Sequence, residues 1–63
     1  MTPDQAVELV SRWPMDRSVP KKLKAAHDQA RGLDRMEIGM LVEALYAASG
    51  GQGDLDLIAK YWG

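Results

Sequence analysis

The sequence predicts an all-α protein, a small single-domain bundle of three main helices plus a short C-terminal fourth helix. Apolar residues recur with helical spacing in four segments, and no segment has the alternating pattern of a strand. Helix-start residues and glycines separate the segments. The predicted helices cover residues 3–13, 20–31, 34–49 and 54–62, and residues 1–63 are expected to form one domain.

The first helix has the clearest start signal in the chain. Thr2 is a suitable N-cap, Pro3 fits the first helical position because its missing N–H is not needed there, and Gln5 completes a capping box. One apolar face then runs to Trp13, after which a proline ends the helix. Residues 14–19 show no period and are predicted to be a loop.

The second helix has a thin apolar stripe. Leu23 is its only large aliphatic side chain, so the helix is expected to dock weakly unless Val19 and Leu33 at its two ends seal the contact. Gly32 is expected to end the helix. The short link that follows implies that the second and third helices are neighbours in space.

The third helix, residues 34–49, is the longest and most apolar segment, and the rest of the chain is expected to fold around it. Asp34 and Glu37 have capping-box spacing at its start. Gly50 favours a left-handed stop at its end.

This third helix is apolar on two sides, and only one side is expected to face the core. Met36 and Met40 lie on the other side, which either the fourth helix, capped by Asp54, or another protein must cover. Leu41 is expected to be the core residue most sensitive to truncation. The predicted core consists of Leu9, Val10, Trp13, Leu23, Ile38, Leu41, Val42, Leu45 and Ile58.

Composition excludes several classes of protein. The chain has no cysteine and one histidine, so it can form neither a disulfide nor a thiolate or multi-histidine metal site. An acidic residue stands near the N-terminus where a secretory signal would be basic, and no apolar run approaches the roughly 20 residues that span a bilayer. A cytoplasmic protein without a membrane partner is expected.

No motif for catalysis, cofactor binding or metal binding is found. His27 is the only side chain that ordinarily titrates near neutrality, and no seryl or cysteinyl nucleophile motif accompanies it. The GGQG segment lacks the lysine of a phosphate-binding loop, and Asp54 and Asp56 lack the other ligands of a calcium loop. The protein is therefore expected not to be an enzyme, and to have no catalytic, cofactor-binding or metal-binding residues.

The leading functional hypothesis is a non-enzymatic protein-binding module or inhibitor that acts by occupying a partner's surface. Methionine adapts to irregular partners, and tyrosine and tryptophan are common interface anchors. A small cysteine-free helical domain without catalytic motifs is typical of phage inhibitors, antitoxins and adaptors. A homo-oligomer formed through the C-terminal helix is also possible. The predicted partner-binding residues are Met36, Met40, Tyr61 and Trp62.

The alternative hypothesis is a small helix-turn-helix-like nucleic-acid-binding domain that uses the basic second helix. Residues 12–35 have a formal charge of +4, although the whole chain has −1. The third helix is a poor surface for reading bases, and the connector before the second helix is longer than the usual turn, which both weaken this hypothesis. Its predicted contacts are Arg17, Lys21, Lys22, Lys24 and Arg31.

Overall fold

The computed structural model describes all 63 residues. It contains five helical segments and no strands. Leu41 alone separates the third segment from the fourth, so the two form one bent helix and the fold has four helices. Helical residues make up 73% of the chain, which confirms the all-α class. None of the helices has both the length and the apolar character needed to cross a membrane. The segments are α1 (Pro3–Val10), α2 (Val19–Gln29), α3 (Gly32–Met40), α4 (Val42–Ala48) and α5 (Gln52–Trp62).

The capping box predicted for α1 is confirmed. The Gln5 backbone N–H donates to the Thr2 hydroxyl at 3.2 Å, and the Thr2 backbone N–H donates to the Gln5 side chain at 2.9 Å. The helix ends at Val10, three residues earlier than predicted, because Arg12 and Trp13 donate to carbonyls three residues back instead of four. Trp13 still enters the core, and its indole N–H donates to the Leu45 carbonyl at 3.0 Å.

The α2–α3 connection differs from the prediction. Helix α2 ends at Gln29, Ala30 and Arg31 are extended, and Gly32 starts α3 with a φ of +61°. Only glycine adopts this conformation without strain, so Gly32 serves as a helix start and not as a stop. The capping box expected at Asp34 is wrong, because this residue lies inside the first helical turn, where its carboxylate still favours the helix dipole.

The predicted continuous helix 34–49 is interrupted at Leu41. The Leu41 N–H donates to the Ile38 carbonyl at 3.1 Å, a tightened turn that separates α3 from α4. Gly39, two residues before the break, lowers helical stability locally, and a Cβ there would lie 3.2 Å from the His27 ring. Close packing against α2 therefore favours glycine at this point.

The end of α4 and the start of α5 also correct two predictions. Gly50 is not left-handed; α4 instead ends at an extended Ser49, whose hydroxyl donates to the Leu45 carbonyl at 2.8 Å. Helix α5 begins at Gln52, so Asp54 is not its N-cap. The Asp54 carboxylate accepts the Gly50 N–H at 2.8 Å and so fastens the turn before the helix.

The core lies between α2 and the other helices. Helix α2 packs against α1, α3 and α5 and supplies more buried residues than any other helix, so it does not dock weakly. Its small alanines allow close approach, and Val19 is fully buried. Of the two end residues expected to seal its contact, Val19 does so and Leu33 does not. Six predicted core residues are buried, while Val10, Leu41 and Val42 are only partly buried against the core. The buried apolar side chains are Ala6, Leu9, Trp13, Val19, Leu23, Ala26, Ile38, Leu45 and Ile58.

Candidate docking surface on the third helix

Three large apolar side chains form an exposed ridge along α3. Leu33, Met36 and Met40 are 70%, 55% and 65% exposed. Their spacing of three and four residues places them on one face of the helix. Ile38, which is fully buried, points to the opposite side. We call Leu33, Met36 and Met40 the methionine ridge.

An open groove runs beside the methionine ridge, between α3 and α2. Gly39 lies at its base, and the His27 ring packs against this glycine from α2. Arg35 and Glu43 stand at the groove, both exposed and neither in an ion pair within the chain. The groove therefore combines apolar side chains with one unpaired cation and one unpaired anion. The lining residues are His27, Gly32, Arg35, Met36, Gly39, Met40 and Glu43.

Helix α5 does not cover the methionine ridge, because it packs against α2 and α4. The Trp62 indole N–H donates to the Pro20 carbonyl at 3.0 Å, and the ring meets the edge of His27 with centroids 5.1 Å apart. Trp62 thus packs against His27, which lines the groove. Tyr61 is partly exposed, with the Lys60 ammonium 5.5 Å from its ring centre. Of the four predicted partner-binding residues, only Met36 and Met40 line the groove.

The five predicted nucleic-acid contacts fall into two groups. Arg17 forms an ion pair with Asp54 and lies over the Trp13 ring at 4.8 Å. Lys24 forms an ion pair with Asp28 at 3.2 Å and lies 5.1 Å from the centre of the Trp62 ring. Both cations therefore contact other residues of the domain itself. The remaining three, Lys21, Lys22 and Arg31, are exposed and form no ion pair.

Three carboxylates have lowered pKa values, each for a local reason. The Gly50 backbone N–H, followed by Arg17, lowers the pKa of Asp54. A hydrogen bond from Lys24 lowers the pKa of Asp28. His27 has a smaller effect in the same direction, and its Nδ1 lies 3.4 Å from the Asp28 Oδ1. Hydrogen bonds from Ser18 lower the pKa of Asp16. Asp16 and Asp54 accept backbone N–H groups at turns, whereas Asp28 pairs with Lys24 one turn back along α2. No three acidic or histidine side chains come together in a way that suits a metal ion.

Sequence reasoning missed several residues of the methionine ridge and the groove. Leu33 was expected at the end of α2, and it lies instead in the first turn of α3, exposed in line with the methionines. His27 and Gly39 come together only through tertiary packing. Arg35 and Glu43 each lie four residues from Gly39, one on either side of it in the sequence. Comparison of the chain with protein-family models, curated proteins and solved structures gives no match.

Proposed function

We propose that this protein is a binding module whose methionine ridge and adjoining groove hold a segment of another protein. The observation that supports this most is the exposure of Leu33, Met36 and Met40 side by side on α3. Isolated exposed apolar residues are ordinary, but a contiguous row beside a groove is typical of a docking surface. The module acts by covering its partner's surface, as an inhibitor, antitoxin or adaptor does.

The chemistry of the ridge favours a helical or irregular apolar partner segment. Methionine is unbranched and polarisable, so it fits partner surfaces of different shapes. A groove between two helices matches the mode in which an amphipathic helix places its apolar side chains into a partner. Arg35 and Glu43 at the groove would select the charges that flank such a segment.

The affinity should depend mainly on the ridge. Truncation of a central interface anchor typically costs about 2 kcal/mol or more, which corresponds to at least a tenfold rise in Kd. We therefore expect Met40→Ser to weaken partner binding by roughly tenfold or more, chiefly through a faster off-rate. The fold should remain intact because this side chain is mostly exposed.

Site-specific photo-crosslinking in an extract of the source organism tests the proposal. A crosslinker at position 40 should capture a defined protein, and the same crosslinker at position 7, where Val7 is exposed on α1, should not. Purified partner should then lose affinity for the Met36→Ser, Met40→Ser double variant. The matched control is Met15→Ser, since Met15 is 92% exposed in the α1–α2 loop. Equal binding by the double variant and the control would contradict the proposed surface.

A further inference from the structure

We infer that the groove is complementary to itself, so that two copies of the chain pair through antiparallel α3 helices when no other partner is bound. This inference rests on the proposed docking surface and names a second copy as one occupant of it. The observation behind it is the order of charges along the groove. Arg35 lies toward the N-terminal end of α3, and Glu43 lies beyond its C-terminal end.

A two-fold axis beside Gly39 brings opposite charges together twice. Arg35 and Glu43 are each four residues from Gly39, so a half-turn about this point places Arg35 of one copy opposite the partner's Glu43, and the reverse pair forms as well. An isologous contact of this kind uses one surface patch on both copies.

The charges are available for this contact. Neither Arg35 nor Glu43 forms an ion pair within its own chain, and both are exposed. A parallel arrangement of the two helices would instead place Arg35 near the partner's Arg35 and Glu43 near the partner's Glu43. Like charges in contact disfavour that arrangement, so the charge order selects the antiparallel one.

The available area limits the strength of the pair. A standard stable interface takes about 800 Å² from each partner, which is about a fifth of the 4108 Å² accessible surface of this chain. One face of a short helix supplies less than this. We therefore expect a weak dimer with a Kd on the order of micromolar or higher, which a foreign segment with more contacts can displace.

Sedimentation velocity from about 10 μM to about 1 mM tests the inference with a charge exchange. The parent should self-associate, and Arg35→Glu and Glu43→Arg should each remain monomeric, because each single change sets like charges face to face. An equimolar mixture of the two single variants should form a heterodimer, since every cross-chain pair is then opposite in sign. The matched control reverses the exposed ion pair at the C-terminal end of α1 by Glu8→Arg with Arg12→Glu, and it should dimerise like the parent.

Other outcomes overturn the inference and leave the proposed function to its own test. A parent that stays monomeric at every concentration excludes the self-pair, while capture through position 40 still reports on a foreign partner. Dimers that persist in both single variants place the contact elsewhere on the chain. Circular dichroism checks that the variants fold; if either reversal lowers helicity, Arg35→Gln and Glu43→Gln replace them and should weaken self-association severalfold.

Discussion

Truncation of leucines at three levels of burial tests the packing directly, because the chemical change is the same at each site. Leu45 is fully buried, Leu41 is partly buried at the bend, and Leu33 is mostly exposed. Leu45→Ala should cost about 2–5 kcal/mol, and Leu41→Ala about 1–2 kcal/mol since less of its surface leaves water. Leu33→Ala should remain within about 0.5 kcal/mol of the parent.

These losses are large for a chain of 63 residues. At about 0.05–0.15 kcal/mol per residue, its whole free energy of unfolding is about 3–9 kcal/mol. Leu45→Ala should therefore leave a substantial unfolded fraction in water, while Leu33→Ala should unfold at the parental urea concentration. Urea titration followed by circular dichroism measures the free energy of unfolding of each variant and so ranks the three losses. If Leu41→Ala is as damaging as Leu45→Ala, the bend at Leu41 is misplaced and the helix runs on with this side chain inside.

Two further predictions concern charge. A backbone N–H and Arg17 lower the pKa of Asp54 below its ordinary 3.8, so the folded chain binds fewer protons than the unfolded one and loses stability as the pH falls from about 4 through the lowered pKa. Thermal melts at about pH 6 and about pH 3 measure how far the melting temperature falls with acid. This fall should be smaller for Asp54→Asn than for the parent or for the control Asp56→Asn. Fluorescence anisotropy with duplex DNA should show that the parent has no affinity that falls steeply with salt concentration. If the parent has such an affinity and the double variant Lys21→Glu, Lys22→Glu loses it, the nucleic-acid alternative is established.

Signals that act over a few residues were predictable from the sequence. The capping box of Thr2 and Gln5 is correct because both partners lie within one turn. Helical periodicity likewise gives the fold class and the inward faces of α3 and α4, through Ile38 and Leu45. The same reasoning failed at Asp34, whose sequence context resembles a helix start, because α3 begins two residues earlier at a left-handed glycine.

The exposure of the methionines was not predictable, because it depends on the path of α5. Along that path α5 contacts residues far from it in sequence, through the ion pair of Arg17 with Asp54 and the hydrogen bond of Trp62 to the Pro20 carbonyl. The first contact joins α5 to the connection between α1 and α2, and the second joins its C-terminal end to the start of α2. Local periodicity carries no information about such pairs, so the sequence left the covering of Met36 and Met40 open.

The methionine ridge is exposed at a real cost to a chain this small. Full burial of a large apolar side chain contributes about 1.5–3 kcal/mol, so leaving Leu33, Met36 and Met40 mostly in water forgoes several kcal/mol, an amount comparable with the whole stability of the domain. The fold does not need these side chains, since the core on the opposite side of α3 closes through Ile38. Polar residues at the three positions would serve the isolated domain equally well. Under the function proposed above, a second polypeptide buries the apolar surface that folding leaves exposed.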